Sequence, residues 1–222
     1  MTAPPPLVLP IFATPFGFVS VPEAELLNPV VATLFAQRAT PDYADPACRQ
    51  ALTFRSRDDL LEWPDEPVRN LARGIIGEVI SVVRSINDFS GEQFATFKIQ
   101  ARAWFTIVHA NGYVPSANFQ NAAWCAVYCV AAPESAAERF DSGVLRLHES
   151  QRKNMFADAT NSVIHKPYLP GHSTWRPVPG QVAVFPAAIT HEIALLRSAG
   201  SLVLVTTLLR FVAPGQTGMP WW

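Results

Sequence analysis

The sequence carries little charge, and that charge is not clustered. Only 16% of the 222 residues are Asp, Glu, Lys or Arg, and the formal net charge is −1. No run of Lys or Arg occurs that could attract phosphate groups. We therefore expect neither nucleic acid nor an anionic membrane among the partners of this protein.

Long apolar runs and a secretion signal are also missing. The N-terminal stretch MTAPPPLVLPIFATPFGF is apolar, but it has no basic start and prolines interrupt it. No apolar run approaches the roughly 18 to 20 residues that cross a bilayer as a helix. These absences predict a soluble, cytoplasmic protein.

Cysteine is scarce, and several familiar catalytic motifs are absent. The three cysteines form an odd and sparse set that does not look like a disulfide framework. Cys125 and Cys129 lie on one face of a predicted strand, so we expect buried free thiols. Without a G-x-S-x-G elbow, a Gly-rich phosphate loop or a C-x-x-C pair, the sequence gives no support to hydrolase, nucleotide-binding or thiol-redox chemistry.

What the chain does have is apolar residues, which make up 49% of it. A chain of this length and composition can bury a substantial core, and we interpret residues 1–222 as a single domain. Residues 1–98 are predicted to be mainly helical, residues 99–212 to form a β-rich core, and residues 213–222 to be a loosely held tail.

Two helices are predicted in the first part. The first begins at Pro22-Glu23 and contains Pro29 as a local disturbance. Its apolar residues are Leu26, Leu27, Val30, Val31, Leu34 and Phe35. The second follows residues 63–67 and has an apolar stripe at helical spacing, which we expect to pack on a sheet. That stripe consists of Val68, Leu71, Ile75, Val79, Val82 or Val83, and Ile86.

The second part alternates apolar and polar residues, as strands do. Asn111-Gly112 and Pro179-Gly180 are typical of turns. Strands are predicted over residues 99–110, 123–131, 143–148, 175–178, 181–185 and 201–212. Several strands after a helical block, without helices between them, predict an α+β domain built on an antiparallel barrel or sandwich.

Four segments resemble a family of 2-oxoglutarate- and Fe(II)-dependent oxygenases. They are WFTIVHANGY at 104–113, WCAVYCV at 124–130, SGVLRLHE at 142–149, and PGQVAVFPAAITH at 179–191. The similarity covers about residues 100–212, and residues 59–86 also resemble the family's helical N-terminal part. The resemblance implies a double-stranded β-helix, or jelly roll, with N-terminal helices packed on the major sheet.

The family's chemistry needs a specific set of side chains. Two His and one carboxylate bind Fe(II), and an Arg pairs with the far carboxylate of 2-oxoglutarate. His191 matches the distal His and is the candidate metal ligand. The other two ligand positions fall on Ala117 and Phe119, and the Arg position falls on Ser201. The resemblance thus implies Fe(II) and 2-oxoglutarate, but Ala117, Phe119 and Ser201 cannot replace the expected metal ligands and Arg. The cofactor therefore stays unknown.

A moved site is one possible consequence. His109 ends the Trp104 strand, and if it faces His191 across the barrel, these two are the candidate catalytic residues. The alternatives are a strand-end His bonded to the backbone and a core His retained after metal loss. Candidate substrate contacts are Asn118, Gln120, Trp124 and Phe185, although a polar turn and core aromatics need no ligand to explain them. Further donors are His148 with Glu149 and His165 with His172, whose spacing matches no standard zinc site.

Two classes of function therefore remain open. The first is an enzyme acting on a small organic molecule in the barrel mouth, with either a rebuilt metal site or metal-free His catalysis. The second is a non-catalytic subunit of the same fold that binds a ligand, a second copy or a related active chain.

Overall fold

The computed structural model describes residues 13–48, 50–134, 141–148 and 172–215. Within these ranges the chain forms three α-helices, a short 3-10 helix and ten strands. In chain order they are β1 (Gly17–Ser20), α1 (Ala24–Arg38), β2 (Thr53–Arg55), the 3-10 helix (Leu60–Glu62), α2 (Glu66–Ser85), α3 (Gly91–Ala95), β3 (Lys98–His109), β4 (Val114–Ala117), β5 (Trp124–Ala131), β6 (Leu145–His148), β7 (His172–Trp175), β8 (Gln181–Pro186), β9 (His191–Ile193) and β10 (Ser201–Val212).

The strands form two antiparallel sheets. The large sheet has the order β1-β8-β5-β10-β3-β2, and the small sheet has the order β4-β9-β6-β7. The long strands β3 and β10 pair along their whole length, from Ser201 opposite His109 to Val212 opposite Lys98. The antiparallel β-rich architecture that the strand pattern predicts is confirmed.

Both faces of the large sheet are buried, and they enter different cores. On β3, Phe105 and Ile107 belong to a cluster that includes residues of α1 and α2. Trp104 and Val108 belong to a second cluster, which includes Leu145 of the small sheet. Because side chains alternate along a strand, the parity of a residue decides whether it faces the helices or the space between the sheets.

The stripe of α2 is buried as predicted at Val68, Leu71, Ile75, Val79 and Val83. Helix α1 differs from the expectation: it buries Ala24, Asn28, Val31 and Phe35, and Leu26 is 76% exposed. The reason is a polar contact that the apolar pattern does not reveal. The hydroxyl of Tyr128 donates to Oδ1 of Asn28 at 2.7 Å, which satisfies both groups inside the core.

The N-terminal part contributes strands as well as helices. β1 pairs with β8 and β2 pairs with β3, so residues before 99 form both edges of the large sheet. The described part of the predicted mainly helical segment thus also contains two short strands, β1 and β2. The assignment of one domain stays a prediction, and residues 216–222 of the predicted tail lie outside the described residues.

One predicted strand is displaced. The pattern favours 175–178, whereas β7 ends at Trp175. Pro177 and Pro179 follow it, and proline cannot donate a ladder hydrogen bond. The chain turns instead, with the amide of Gln181 donating to the carbonyl of Val178 and Gly180 at a φ of +87°.

Candidate ligand-binding site

A cavity of about 300 Å³ opens between the two sheets. The large sheet lines it with β2, β3, β5 and β10, and the small sheet with β4, β6 and β9. Further lining residues come from the segment before β2, namely Asp45, Ala47, Cys48 and Gln50. Its polar side chains include Arg55, Asp45, Thr106, Thr206 and His191. A concave, mainly apolar space with a few convergent polar groups is the usual form of a small-molecule site.

His191 begins β9 and lies against this cavity, 9% exposed. Its Nδ1 is 2.9 Å from the carbonyl oxygen of Ile189, so Nδ1 carries the proton and Nε2 keeps a lone pair. Burial lowers the pKa of His191 below its usual range, the hydrogen bond to Ile189 opposes this, and the charge of His148 adds to it. The imidazole is therefore neutral at physiological pH.

The lone pair of His191 faces a thiol. Sγ of Cys125 lies 3.9 Å from Nε2, a distance at which a thiol donates only weakly. Cys125 and Cys129 are buried and free, as predicted. Burial raises the pKa of both thiols, to about 12 for Cys129, so neither is a nucleophile at neutral pH.

Ala117 and Phe119 lie beside His191, as the alignment of ligand positions predicts. Ala117 is the direct antiparallel partner of His191, and the Phe119 ring is 5.6 Å from the imidazole. Phe119 also makes an edge contact with Trp104, at 5.4 Å between ring centroids. A methyl group and a phenyl ring are thus the immediate neighbours of the His191 imidazole on this side.

Ferrous iron does not fit this set of side chains. Stable binding requires three imidazole or carboxylate donors on one face. Among residues 13–48, 50–134, 141–148 and 172–215, no group of three His, Cys, Asp or Glu could hold a metal ion. A role of His191 as a metal ligand stays a prediction, and no group of three donors that could include it occurs in the described part of the chain.

Arg55 and Asp45 form the charged edge of the cavity. Arg55 lies on β2 opposite Thr106, and its Nη1 forms an ion pair with Oδ2 of Asp45. The guanidinium carbon lies 4.2 Å from the centre of the Trp104 ring, in a cation–π arrangement. Burial lowers the pKa of Arg55, while the nearby Asp58 raises it.

Comparison with known proteins gives a clear result for the fold. No family model and no curated protein matches the sequence. A Pseudomonas putida prolyl-4-hydroxylase has a TM-score of 0.54 at 15% identity, over 88% of this chain and 91% of that one. SnoK, a non-haem alpha-ketoglutarate-dependent carbocyclase from nogalamycin biosynthesis, has a TM-score of 0.58 at 9% identity, over 87% and 79%. AviO1 from Streptomyces viridochromogenes has a TM-score of 0.57 at 11% identity, over 94% of both chains.

This chain has the fold of a 2-oxoglutarate/Fe(II) oxygenase. The resemblance found in the sequence is confirmed at that level. Likeness at such low identity concerns the fold alone, and function must be argued from the site. None of the helices in the described part of the chain combines the length and apolar character that a membrane crossing needs.

The predicted position of the co-substrate Arg needs a correction. Ser201 lies on the helix-facing side of β10, where its hydroxyl is 2.9 Å from Nδ1 of His109. Leu202, one residue later, is the side chain that enters the space between the sheets. Strand alternation is the reason, because neighbouring residues of a strand point to opposite faces of the sheet.

His109 does not face His191. It shares the parity of Phe105 and Ile107 on β3, so its exposed ring lies on the side of the sheet away from the cavity. The hypothesis that His109 and His191 oppose each other across the barrel is therefore corrected. A catalytic role for either residue stays a hypothesis. Of the two, only His191 lines the cavity.

None of the four predicted substrate contacts is a lining residue of the cavity, and they lie in three different environments. Phe185 lies between the sheets, its ring 4.9 Å from that of His191. Trp124 has the opposite parity and packs with the helix-side core. Asn118 is exposed and donates to the hydroxyl of Thr190 at 3.3 Å, and Gln120 is exposed.

His148 and His172 lie on the outer face of the small sheet. His148 and His172 are register partners, with 6.3 Å between ring centroids. Glu192 points away from His191, as expected, and bonds to Ser116 and Arg146. Those contacts lower the pKa of Glu192, the hydrogen bond from Ser116 most strongly. Glu149 and His165 lie outside the described residues.

Sequence reasoning missed Arg55, Asp45, Thr106 and Thr206. Thr106 could have been found from the alternation of β3, which places it on the Trp104 face. Arg55 belongs to a three-residue strand with no periodicity to detect, so its place beside Thr106 depends on tertiary pairing.

Proposed function

We propose that this protein binds a small organic molecule in the cavity between its sheets, in a jelly-roll barrel that does not carry out ferrous oxygenase chemistry. One observation carries the proposal. Ala117 is paired with His191 and Phe119 is in ring contact with it, so the positions that would share a metal with this imidazole have no donor atom. What is left is a cavity of ligand size with apolar walls.

Metal-free catalysis by His191 is the second candidate. The observation that favours it is the neutral imidazole, whose Nδ1–H is held by the carbonyl of Ile189 and whose Nε2 can accept a proton. The nearest polar partner of Nε2 is the inert Cys125 thiol, which gives this base nothing to activate. Binding without turnover is therefore the better-supported function.

Metal analysis tests the loss of iron chemistry. Protein purified anaerobically and treated with Fe(II) should contain metal far below one equivalent per chain and should not turn over 2-oxoglutarate. Stoichiometric iron that a His191→Ala variant releases would overturn the proposal.

Ligand binding is tested by blocking the cavity. Ala117 is exposed and lines its edge, so Ala117→Trp should narrow the opening without overfilling the core. Ala95→Trp, at an exposed position of α3, is the matched control. Small-molecule fragments detected by saturation-transfer NMR should bind wild type and Ala95→Trp but not Ala117→Trp. Fragments that bind all three proteins equally, or no binding fragments at all, would contradict the proposal.

A further inference from the structure

Four polar or aromatic side chains form one patch on the inner face of the large sheet. Arg55 is the register partner of Thr106, and Trp104 is the register partner of Thr206. All four line the cavity. Directly opposite residues have Cβ atoms about 4.5–5.5 Å apart, so the members of each pair are neighbours. The two pairs are joined by the Arg55 guanidinium, whose carbon lies 4.2 Å from the centre of the Trp104 ring.

Arg55, Asp45 and Trp104 form an Arg–Asp–Trp arrangement, and the chain contains a second one away from the cavity. The second arrangement serves as a structural comparison. Arg38 binds Asp65 through both terminal nitrogens, at 2.6 and 3.0 Å, and its guanidinium carbon lies 4.4 Å from the centre of the Trp63 ring. That bidentate pair does not line the cavity.

The pair at the cavity is different. Nη1 of Arg55 forms an ion pair with Oδ2 of Asp45, and both residues line the cavity. A guanidinium has five N–H donors in a planar fork. Arg55 therefore keeps donors available on the side where the cavity lies.

Two hydroxyl groups also line the cavity. Thr106 is 4% exposed and Thr206 is 8% exposed, and both are lining residues of this space. Thr106 lies next to Arg55, and Thr206 lies next to Trp104, over whose ring the Arg55 guanidinium is placed. A hydroxyl can both donate and accept a hydrogen bond, so both side chains can bind the same polar group of a ligand as Arg55.

We propose that the ligand of this cavity carries a carboxylate, which is bound by Arg55 and the hydroxyls of Thr106 and Thr206. The rest of the ligand lies against apolar walls that include Phe119, Ile193 and Leu204. A partly desolvated guanidinium on an aromatic face favours a planar anion that can accept two hydrogen bonds. The inference rests on the proposed function and names its ligand class.

Asp45 gives the inference a distinctive consequence. Its carboxylate competes with a ligand carboxylate for the same cation, so replacing it should strengthen binding. Asp45→Asn keeps the Oδ1 acceptor that receives the amide of Ala47 at 2.9 Å, and so retains the local turn. A purely structural ion pair would give the opposite result, because breaking it would loosen the cavity edge.

The test uses matched pairs of compact acids and their amides: benzoate with benzamide, phenylacetate with phenylacetamide, and succinate with succinamide. Dissociation constants are measured for wild type, Arg55→Gln, Asp45→Asn, Thr106→Val and the control Arg38→Gln. For at least one pair, wild type should bind the acid about tenfold or more tightly than the amide. Arg55→Gln should abolish the preference, Asp45→Asn should increase it, Thr106→Val should reduce it, and Arg38→Gln should leave it unchanged.

The alternative outcomes separate the two proposals. Equal binding of acid and amide, both blocked by Ala117→Trp, would refute the carboxylate while leaving the cavity function intact. Neutral fragments that bind when no acid does would have the same meaning. If Arg55→Gln unfolds, the Asp45→Asn/Arg55→Gln double variant removes both charges, and a surviving acid preference there would also refute the inference.

Discussion

Replacing Ala117 with His and Phe119 with Asp should create a divalent-metal site around His191. Ala117 is directly opposite His191 in the β4–β9 ladder, and Phe119 already contacts the imidazole ring. Two imidazoles and a carboxylate are donors that Fe(II) and Zn(II) prefer, and here they would come from β9, from β4 and from the segment just after β4. The double variant tests whether these two substitutions are sufficient to create a metal site next to His191.

The magnitude follows from the contacts that change. Phe119 is half-buried, so its loss should cost about 1–2 kcal/mol, less than the roughly 3–5 kcal/mol of a fully buried Phe→Ala change. Metal at a concentration of about a hundred times its dissociation constant should raise the free energy of unfolding of the double variant by about 2.7 kcal/mol. At about 2–4 °C per kcal/mol for a chain of this size, the Tm should rise by about 5–11 °C.

Thermal unfolding with and without Zn(II) measures this shift, and the visible absorption of Co(II) reports the coordination. The same two substitutions combined with His191→Ala form the control, in which the metal-dependent shift should vanish. A double variant that folds by circular dichroism but shows no shift with metal would refute the placement of the three positions around one point.

Three further predictions concern the core and the buried groups. Tyr128→Phe removes the hydroxyl that donates to Asn28 and should lower stability by about 1–2 kcal/mol in urea unfolding; the exposed Tyr113→Phe should change little. Burial lowers the pKa of His191 below 6.5, so the unfolded chain takes up the proton first and the free energy of unfolding should fall as pH drops below 6.5. Urea titrations across pH should show this fall in wild type but not in a His191→Asn variant. Iodoacetamide should label Cys48 and spare the two β5 thiols in the native protein, and early labelling of all three would contradict their burial.

Long, regular patterns allowed much of the fold to be predicted. The stripe of α2 and the alternation of β3 and β10 each run over ten or more residues, so their period outweighs local irregularity. Ala117 and Phe119 were singled out from the spacing between Gly112 and Trp124, and both lie next to His191. Short strands were not: β2 and β9 have three residues each, too few for a period to show.

The candidate site was only partly predictable for a related reason. His191 follows a recognisable Phe-Pro strand end, whereas Arg55 reaches the cavity through pairing with a strand fifty residues later in the chain. His109 and Ser201 were misplaced because alignment gives a position along a strand to within one residue, and one residue changes the face. Asn28 was missed because a polar residue gives no apolar signal, even when its partner lies deep in the core.

Strands β1 and β2 are the two edge strands of the large sheet, which limits where the chain can be truncated. A shortened version starting at residue 99 would leave β8 and β3 with bare backbone amides and carbonyls along their outer sides. Such open borders recruit other chains and drive self-association. Engineering that treats the histidine-bearing half as an independent module should therefore yield insoluble material, unless residues 17–20 and 53–55 are supplied with it.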